Sequence, residues 1–549
     1  MPGSRMHCMY VSPPFREIAL TLSPSRAAVA VNADVLQASL SARIADIPVF
    51  GAVRAPHHVA LIEDARSLTY AQLADAVDAA AALLRALGVR GGDRVMIVAE
   101  NCVAQIVLLF AAARLDAWAL LCNARLTAPE LDAIGAHARP RIVAYLTETS
   151  PDAAHHAQRC AARPAPALDT FAPDESGVAG IGAWSYTFDA QASAEPVEAA
   201  PQRQCAALIY TTGTTGAPKG VMLSHRNLLF IAATSSMLRR VGPDDVVYTV
   251  LPVSHVYGLA SVCLGSLHAG ATLRLAPRFA PEAVRTALAS ERISIFQGVP
   301  AMHAKLLEYL HAQRLPWSAP HLRFAYTGGS PLDAALKARV ESVYGVTLHN
   351  GYGMTESSPT VAQTSLDAPR TDCSVGTPIP GIEVRFVAPD GTDVARGEIG
   401  ELWVRGPNVM LGYYRNPQQT GAAVTRDGWL KTGDLAQQHP DGALDIVGRS
   451  KELIIHSGFN VYPAEVEQAL NAHPDIVQSA VLGRNVEGNE QVIAFVELRA
   501  GAQLSPEQLI EWSAARLAPY KRPAEVRILP ALPAASTGKI LKHKLRELV

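Results

Sequence analysis

Eleven residues, Tyr210 to Gly220, read YTTGTTGAPKG: four threonines, three glycines and one lysine, in a chain otherwise rich in Ala, Leu and Val. Glycines let backbone N–H groups approach a ligand, threonine hydroxyls donate hydrogen bonds, and Lys219 adds a point charge; together they suit phosphate oxygens. The spacing is not that of a P-loop, which puts Gly directly before the Lys and Ser or Thr directly after it. Here Pro218 and Gly220 flank Lys219. The run follows the apolar AALIY and precedes a helix expected to open near Ser224, so it is read as a strand–loop–helix junction. On this chemistry alone the run is either a phosphate cradle or a solvent-exposed turn.

Further runs carry residues able to do chemistry. LPVSHVYGL holds His255, which standing alone reads sooner as an ordinary buried histidine than as a site residue. YTGGSPL, residues 326–332, places Gly328 and Gly329 before Ser330, where a backbone can come close to a ligand. NGYGMTE, residues 350–356, ends on Glu356; a hard carboxylate joined by phosphate and water oxygens suits magnesium. WLKTGDLA holds Asp434, able to accept from two hydroxyls, and GRSKE holds Arg449 and Lys451. Lys539 lies in STGKILKHKLREL and by composition alone is a surface lysine of a basic tail.

In this order, these runs closely resemble the adenylate-forming superfamily, in its acyl-CoA synthetase and aryl-CoA ligase branch, from about Thr69 to Leu548. The signature loop departs only by Thr212 where relatives carry Ser. The resemblance implies that Thr211, Thr212, Gly213, Thr214, Thr215, Gly216 and Lys219 hold the ATP phosphates. It implies that Gly328, Gly329, Ser330, Asn350, Gly351, Tyr352 and Gly353 surround adenine, and that Thr355 touches the α-phosphate. Glu356 with Thr214 would hold Mg2+, Asp434 and Arg449 would hold the ribose, and His255 would border the reacting carboxylate. Lys539 would enter the site only for adenylation, stabilising charge at the reacting centre. Lys451 falls at the hinge, and Ser457, Gly458 and Phe459 at the coenzyme A tunnel. Lys542 stands where relatives often have Arg, keeping the charge without the bidentate fork.

The implied reaction is attack of a carboxylate on the α-phosphorus of ATP, giving acyl-AMP and pyrophosphate, then thioester formation with coenzyme A and release of AMP. The alternative is a stand-alone adenylating enzyme that loads a carrier protein; a nucleotide-binding scaffold without chemistry is a second. Val256 after His255 disfavours amino acids, because amino-acid-activating relatives place Asp there. By resemblance the acyl pocket draws on Tyr257, Ser261, Val299, Met302, Gly328, Gly353 and Pro359. That set is mostly apolar and shows no obvious cation, so an aryl or short-to-medium acyl monocarboxylate is expected.

The elements that must position these groups follow from periodicity. Leu73, Val77, Ala80, Leu84 and Leu87 recur at helical spacing up to Gly88. Buried strands are expected at Val95 to Ala99 and Ile142 to Leu146, with a helix from Val103 to Leu115 between them. Such alternation recurs after Gly220 and indicates an α/β fold. Residues 150–204 are read as a variable surface connection. Past residue 380, alternating apolar residues and Asp390-Gly391 indicate antiparallel hairpins. Ser505-Pro506-Glu507-Gln508 opens a helix as a capping box. The expected architecture is a large N-terminal domain of mixed sheets flanked by helices plus a β-rich subdomain, with a small mobile α+β C-terminal domain. The expected division is 1–50 extension, 51–447 large domain, 448–451 hinge and 452–549 small domain.

Bulk properties set limits. At 549 residues the chain exceeds one hydrophobic core. A formal charge of −2 advertises no nucleic-acid partner. No apolar run reaches the ~18 residues of a membrane span. Seven scattered cysteines without C-x-x-C, and a first segment lacking signal-peptide layout, lead us to expect a cytoplasmic enzyme; a homodimer is admitted.

Overall fold

The computed structural model describes residues 33–168, 180–212, 218–486, 489–535 and 539–549. Among these residues the strands form five sheets. The largest has nine strands and runs from Thr377–Pro378 at one edge to Arg66–Thr69 at the other. Its centre is parallel: Val246–Thr249, Ile295–Gly298, Phe324–Gly328 and Leu348–Gly353 lie side by side. An eight-stranded sheet carries Arg94–Ala99 between Trp118–Asn123 and Ile142–Tyr145, all parallel. Every residue of Arg94–Ala99 and Trp118–Asn123 is buried, the mark of strands covered on both faces.

Helix Val103–Arg114 is apolar around its whole circumference, and eleven of its twelve residues are buried. It therefore packs on both sides, where an amphipathic surface helix packs on one. Helix Tyr70–Ala86 begins at Thr69, whose side chain accepts from Gln72 N while Gln72 returns the bond. Such a cap contributes about 1 kcal/mol. Burying Leu73, Val77, Leu84 and their neighbours contributes about 1.5–3 kcal/mol per large side chain, so packing decides the helix's place and the cap its first residue.

The β-rich region forms a four-stranded antiparallel sheet, Glu383–Val387, Gly400–Arg405, Leu430–Gln438 and Leu444–Arg449. Asp390-Gly391 does make a turn, with Gly391 at φ +90°, but the turn brings back only Asp393 beside Val387. The full partner strand starts at Gly400. The C-terminal part packs helices Pro463–Asn471 and Pro506–Ala514 on the sheet of Ile476–Val486, Asn489–Leu498 and Glu525–Leu529. It owns a separate core built on Val466, Leu470, Val492 and Leu509. Ser505 caps its helix as expected.

Two expectations need correction. Residues 150–204 are not merely a surface connection. Within them Ser185–Phe188 joins the eight-stranded sheet beside Ile142–Tyr145, and Ile181, Trp184 and Tyr186 are buried. The Ala- and Pro-rich composition hid a strand only four residues long. Nor does a boundary between structural elements fall at residue 50, where the extension was expected to end: helix Asp46–Arg54 crosses that position and buries Ile47. Residues 1–32 lie outside the described residues.

Candidate active site

The Gly/Thr loop is not a strand-to-helix junction. Cys205–Thr212 and Pro218–Ser224 pair antiparallel, with Thr211 opposite Lys219 and Thr212 opposite Pro218. The loop is the tip of a β-hairpin, and Gly213, Thr214, Thr215 and Gly216 lie outside the described residues. A helix does open at Ser224 as expected, capped by it, but only after the second strand. Helix His225–Leu238 is separated from the loop by the whole of strand Pro218–Ser224. Lys219 Nζ stands 5.3 Å from the ring of Tyr413. Tyr413 in turn donates its hydroxyl to Glu356 Oε1 at 2.8 Å. Sequence reasoning missed Tyr413, because nothing in LGYY distinguishes it from a packing tyrosine.

The parallel centre of the large sheet brings the next residues together. Gly298, Gly328 and Gly353 end adjacent or near-adjacent strands, so their loops open at one edge. Space there demands glycine. A Cβ on Gly353 would sit 1.9 Å from the Pro359 carbonyl oxygen, and one on Gly351 would sit 1.8 Å from the Tyr326 hydroxyl. Gly329 is exposed at φ +82°, and Ser330 follows half-buried. Thr355 and Glu356 form a buried 3₁₀ turn directly after Leu348–Gly353. Glu356 accepts the Tyr413 bond through one of two carboxylate oxygens, hard donors of the kind that a magnesium ion carrying phosphate and water takes.

Asn350 is spent inside the protein. Its amide donates to the Cys373 and Ser374 carbonyls, and its Oδ1 accepts from Gly351 N. Its side chain thus anchors residues 373–374 beside the expected adenine position. Tyr352 donates its hydroxyl to Asp434 Oδ2 at 2.5 Å. Asp434 and Arg449 are cross-strand partners, and Arg449 Nε reaches Asp434 Oδ1 at 3.1 Å. Asp434 is buried, so the pair keeps its geometry by strand register. Burial, and then the Asp434 carboxylate, push the Tyr352 phenol well above its usual range.

On the acyl side, Tyr257 and Ser261 lie on the helix Tyr257–Leu264, wound with the wide π geometry; Gly265 N bonds back to Ala260 O. Such windings occur disproportionately at functional sites. Val299 and Met302 are buried where helix Pro300–Ala312 begins. Ser261 Oγ lies 3.2 Å from Thr360 Oγ1, next to Pro359. His255 precedes this helix; burial first, then the Lys539 charge, push its imidazole down to about 4, so it is neutral near pH 7.

Lys539 lies on a short segment of the small domain. Ala534 bridges Ile540, and Ala535 N donates to the Lys539 carbonyl. The residue keeps solvent contact, yet the protein crowding its side chain lowers the ammonium to about 8. Lost hydration comes first, then Arg449; Asp434 and Glu452 oppose the fall. One lysine therefore feels His255 on the acyl side and Asp434 with Arg449 at the other end.

Lys451 sits in the 3₁₀ turn Ser450–Glu452, directly after strand Leu444–Arg449. Its neighbour Glu452 pairs with Lys542 at 3.3 Å, and Lys542 also reaches Glu467 at 2.8 Å. Ser457 and Gly458 form the exposed turn between Ile454–His456 and Phe459–Val461, and Phe459 stacks on Tyr520 at 4.5 Å.

The family description "AMP-binding enzyme" matches residues 51–414, and "AMP-binding enzyme C-terminal domain" matches residues 465–539. The chain belongs to the AMP-binding enzyme family. This AMP-binding enzyme is 37% identical over 487 residues to an indoleacetate–CoA ligase of Aromatoleum aromaticum, covering 88% of this chain and 94% of that one. It is 35% identical over 504 residues to a feruloyl-CoA synthase of Amycolatopsis, covering 91% and 97%. Among solved structures it resembles ATP-bound MatB from Rhodopseudomonas palustris, with TM-score 0.79, 31% identity, and coverage of 93% and 99%. A benzoate CoA ligase from Burkholderia xenovorans superposes with TM-score 0.77 at 26% identity, covering 92% and 99%. Among the described residues no helix is long and apolar enough to cross a membrane.

Proposed function

We propose that this AMP-binding enzyme activates an aryl or short-to-medium acyl carboxylic acid, with the residues assembled above in the roles that follow. The chain is an AMP-forming acid–thiol ligase, for which ATP and coenzyme A are co-substrates. The observation carrying the residue roles is the position of Lys539. Its charge is felt by His255 at the acyl end and lies among Asp434, Arg449 and Glu452 at the other.

In this reading the hairpin tip, with Thr211, Thr212 and Lys219, cradles the β- and γ-phosphates. The backbone of Gly328 to Ser330 and the Tyr352 ring enclose adenine, and Asp434 accepts from the ribose hydroxyls while Arg449 and Tyr352 fix its orientation. Glu356 and Thr214 would hold Mg2+, which supplies charge neutralisation at the phosphates. Thr355 donates to the α-phosphate. The acid's carboxylate, beside the neutral His255 and the Lys539 ammonium, attacks the α-phosphorus, and pyrophosphate leaves. The protein supplies alignment and preplaced charge, and no covalent enzyme intermediate is needed.

The second half requires a thiol at the acyl carbon, where Lys539 now stands. Rotation about Lys451 withdraws it and brings the turn of Ser457 and Gly458, with Phe459, to the entrance as the wall of a coenzyme A tunnel. The division into a large domain to residue 447, a hinge at 448–451 and a small domain from 452 rests on this motion and on the separate C-terminal core. The free cysteines among the described residues, four of them buried, support a reducing compartment such as the cytoplasm.

Pyrophosphate release across a panel of aryl and aliphatic acids, followed by thioester formation with coenzyme A or a phosphopantetheinyl carrier protein, tests the reading. Adenylation with coenzyme A as the better acceptor is expected. Silence on every acid would overturn it, and transfer to the carrier alone would favour the carrier-loading enzyme.

A further inference from the structure

Glu308 lies two turns into helix Pro300–Ala312, whose first turn carries Met302 and is preceded by Val299, both expected at the acyl pocket. At 1.5 Å per residue it stands about 9 Å along the helix axis from Met302. Its Oε2 accepts from Nη1 of Arg499, the residue directly after strand Asn489–Leu498 of the C-terminal sheet. Arg499 is held in place by its own surroundings. Its backbone N donates to the Asp475 carbonyl at 2.9 Å, and its Nε donates to the Pro474 carbonyl at 2.6 Å. One side of the guanidinium is thus spent on a neighbouring loop, and a further nitrogen is turned to Glu308. A planar fork oriented in this way loses little more freedom when the second partner binds.

The two residues stand on regions with different cores. Helix Pro300–Ala312 buries Met302 and Leu306 in the core of the large sheet. Arg499 ends a strand whose Val492 and Val496 belong to the C-terminal core. The other face of that strand, with Ile493 and Phe495, packs against Ile540, the neighbour of Lys539. Arg499 and Lys539 therefore ride on one sheet, and a rotation that withdraws Lys539 carries Arg499 away from Glu308. The side chains of Arg499 and Glu308 are 19% and 21% exposed, so the pair is more shielded than an ordinary surface bridge and its loss is felt more.

We propose that Arg499 and Glu308 are positioning residues for adenylation: their ion pair holds the C-terminal sheet in the orientation that presents Lys539 to the reacting carboxylate, and it opens for the thioester half. The inference rests on the ligase reading above and on its rotation about Lys451. Neither residue touches nucleotide or acid; both act through Lys539. The pair exists in one orientation only, so its free energy differs between the two, and such a difference is what shifts a population. By gripping the helix that walls the acyl pocket, it sets Lys539 relative to the bound acid at a point remote from the hinge.

The test measures each half-reaction of the full-length enzyme with one acid accepted in the panel. The first is pyrophosphate release from that acid and ATP. The second is thioester formation from its supplied acyl-AMP with coenzyme A, or with the carrier protein should that be the acceptor. Glu308→Gln and Arg499→Met are each expected to lower the ratio of the first rate to the second by about tenfold, as a shielded ion pair is opened. The double variant is expected to lie within about twofold of either single one, because all three remove the same pair. Residues that merely stabilise their own elements would slow both halves alike, and their losses would multiply in the double variant; either result overturns the inference. Should Arg499→Met fail to fold, ionic strength replaces it. Added salt is then expected to lower the wild-type ratio more than that of Glu308→Gln, and an equal response overturns the inference. Ratios unchanged in every variant overturn this inference alone. A wild-type enzyme silent on every acid overturns the ligase reading with it.

Discussion

Asp434 and Lys539, which the proposed function assigns to one site, are held in opposite ways. Asp434 is buried in a four-stranded sheet, fixed by register against Arg449 and by the Tyr352 hydroxyl. Lys539 lies beside the bridge of Ala534 to Ile540, whose backbone bonds run from Ala535 N to the Lys539 carbonyl and from Leu541 N to the Pro533 carbonyl, in a region with its own core, and it keeps solvent contact. A ribose clamp has the same task in both halves of the reaction and gains from rigidity. A cation needed for one half only gains from a support that can leave as a body. The difference teaches that permanence and mobility are both built from secondary structure, here by placing the groups on different domains.

The comparison can be broken most strongly at Lys539. Lys539→Ala should lower pyrophosphate release by about 10²–10³-fold, the usual loss for one preplaced charge at a reacting centre, while thioester formation from supplied acyl-AMP changes little. Stopped-flow measurement of each half separately checks this; equal losses in both would contradict the division of labour.

Next is the hinge. Lys451→Pro freezes φ in the turn Ser450–Glu452, so the two half-reactions should diverge, one falling at least about tenfold more than the other. A small uniform loss, read in the same assays, would refute the hinge.

The lysine's environment makes a pH prediction. Burial lowers Lys539 to about 8 when docked, so the active ammonium is lost as pH rises through that value. The kcat/KM of pyrophosphate release should fall towards tenfold per unit on the alkaline side. Lys539→Arg, charged throughout, should lack that limb whatever its absolute rate.

The smallest effect is expected at Lys542. It joins Glu452, next to the proposed hinge residue Lys451, to Glu467 on helix Pro463–Asn471, and it is largely shielded. Lys542→Met removes one partner from two carboxylates, which costs about 1–3 kcal/mol if they stay buried. Thermal unfolding should shift down by a few degrees, with adenylation changed less than by Lys539→Ala.

Much of the fold was legible because periodicity and punctuation coincide. The helices at Tyr70–Ala86 and Val103–Arg114 and the strand Arg94–Ala99 stand where apolar spacing places them. The hairpin under the Gly/Thr loop was not legible. Thr211, Thr212 and Pro218 to Gly220 look like loop residues, and only pairing across the tip makes them strand. Ser185–Phe188 was missed for the same reason, since a short edge strand takes its stability from its neighbour. Asn350 shows a finer limit: its motif is plain in sequence, but the Cys373 and Ser374 carbonyls that occupy its amide are not.

What the sequence alone determined is the inventory and order of chemical groups: a hydroxyl- and glycine-rich loop, a carboxylate after a Gly-rich strand, an Asp, an Arg and a late lysine. Such groups are local, and their chemistry travels with residue type. What only the tertiary structure decided is which charges are buried together. Arg239 and Arg240 are adjacent at the end of one helix and indistinguishable in sequence. One pairs with Asp367 at the surface; the other is stripped of water against Tyr326. Solvation is a property of everything packed around a group, and that is assembled from strands and helices far apart in the chain.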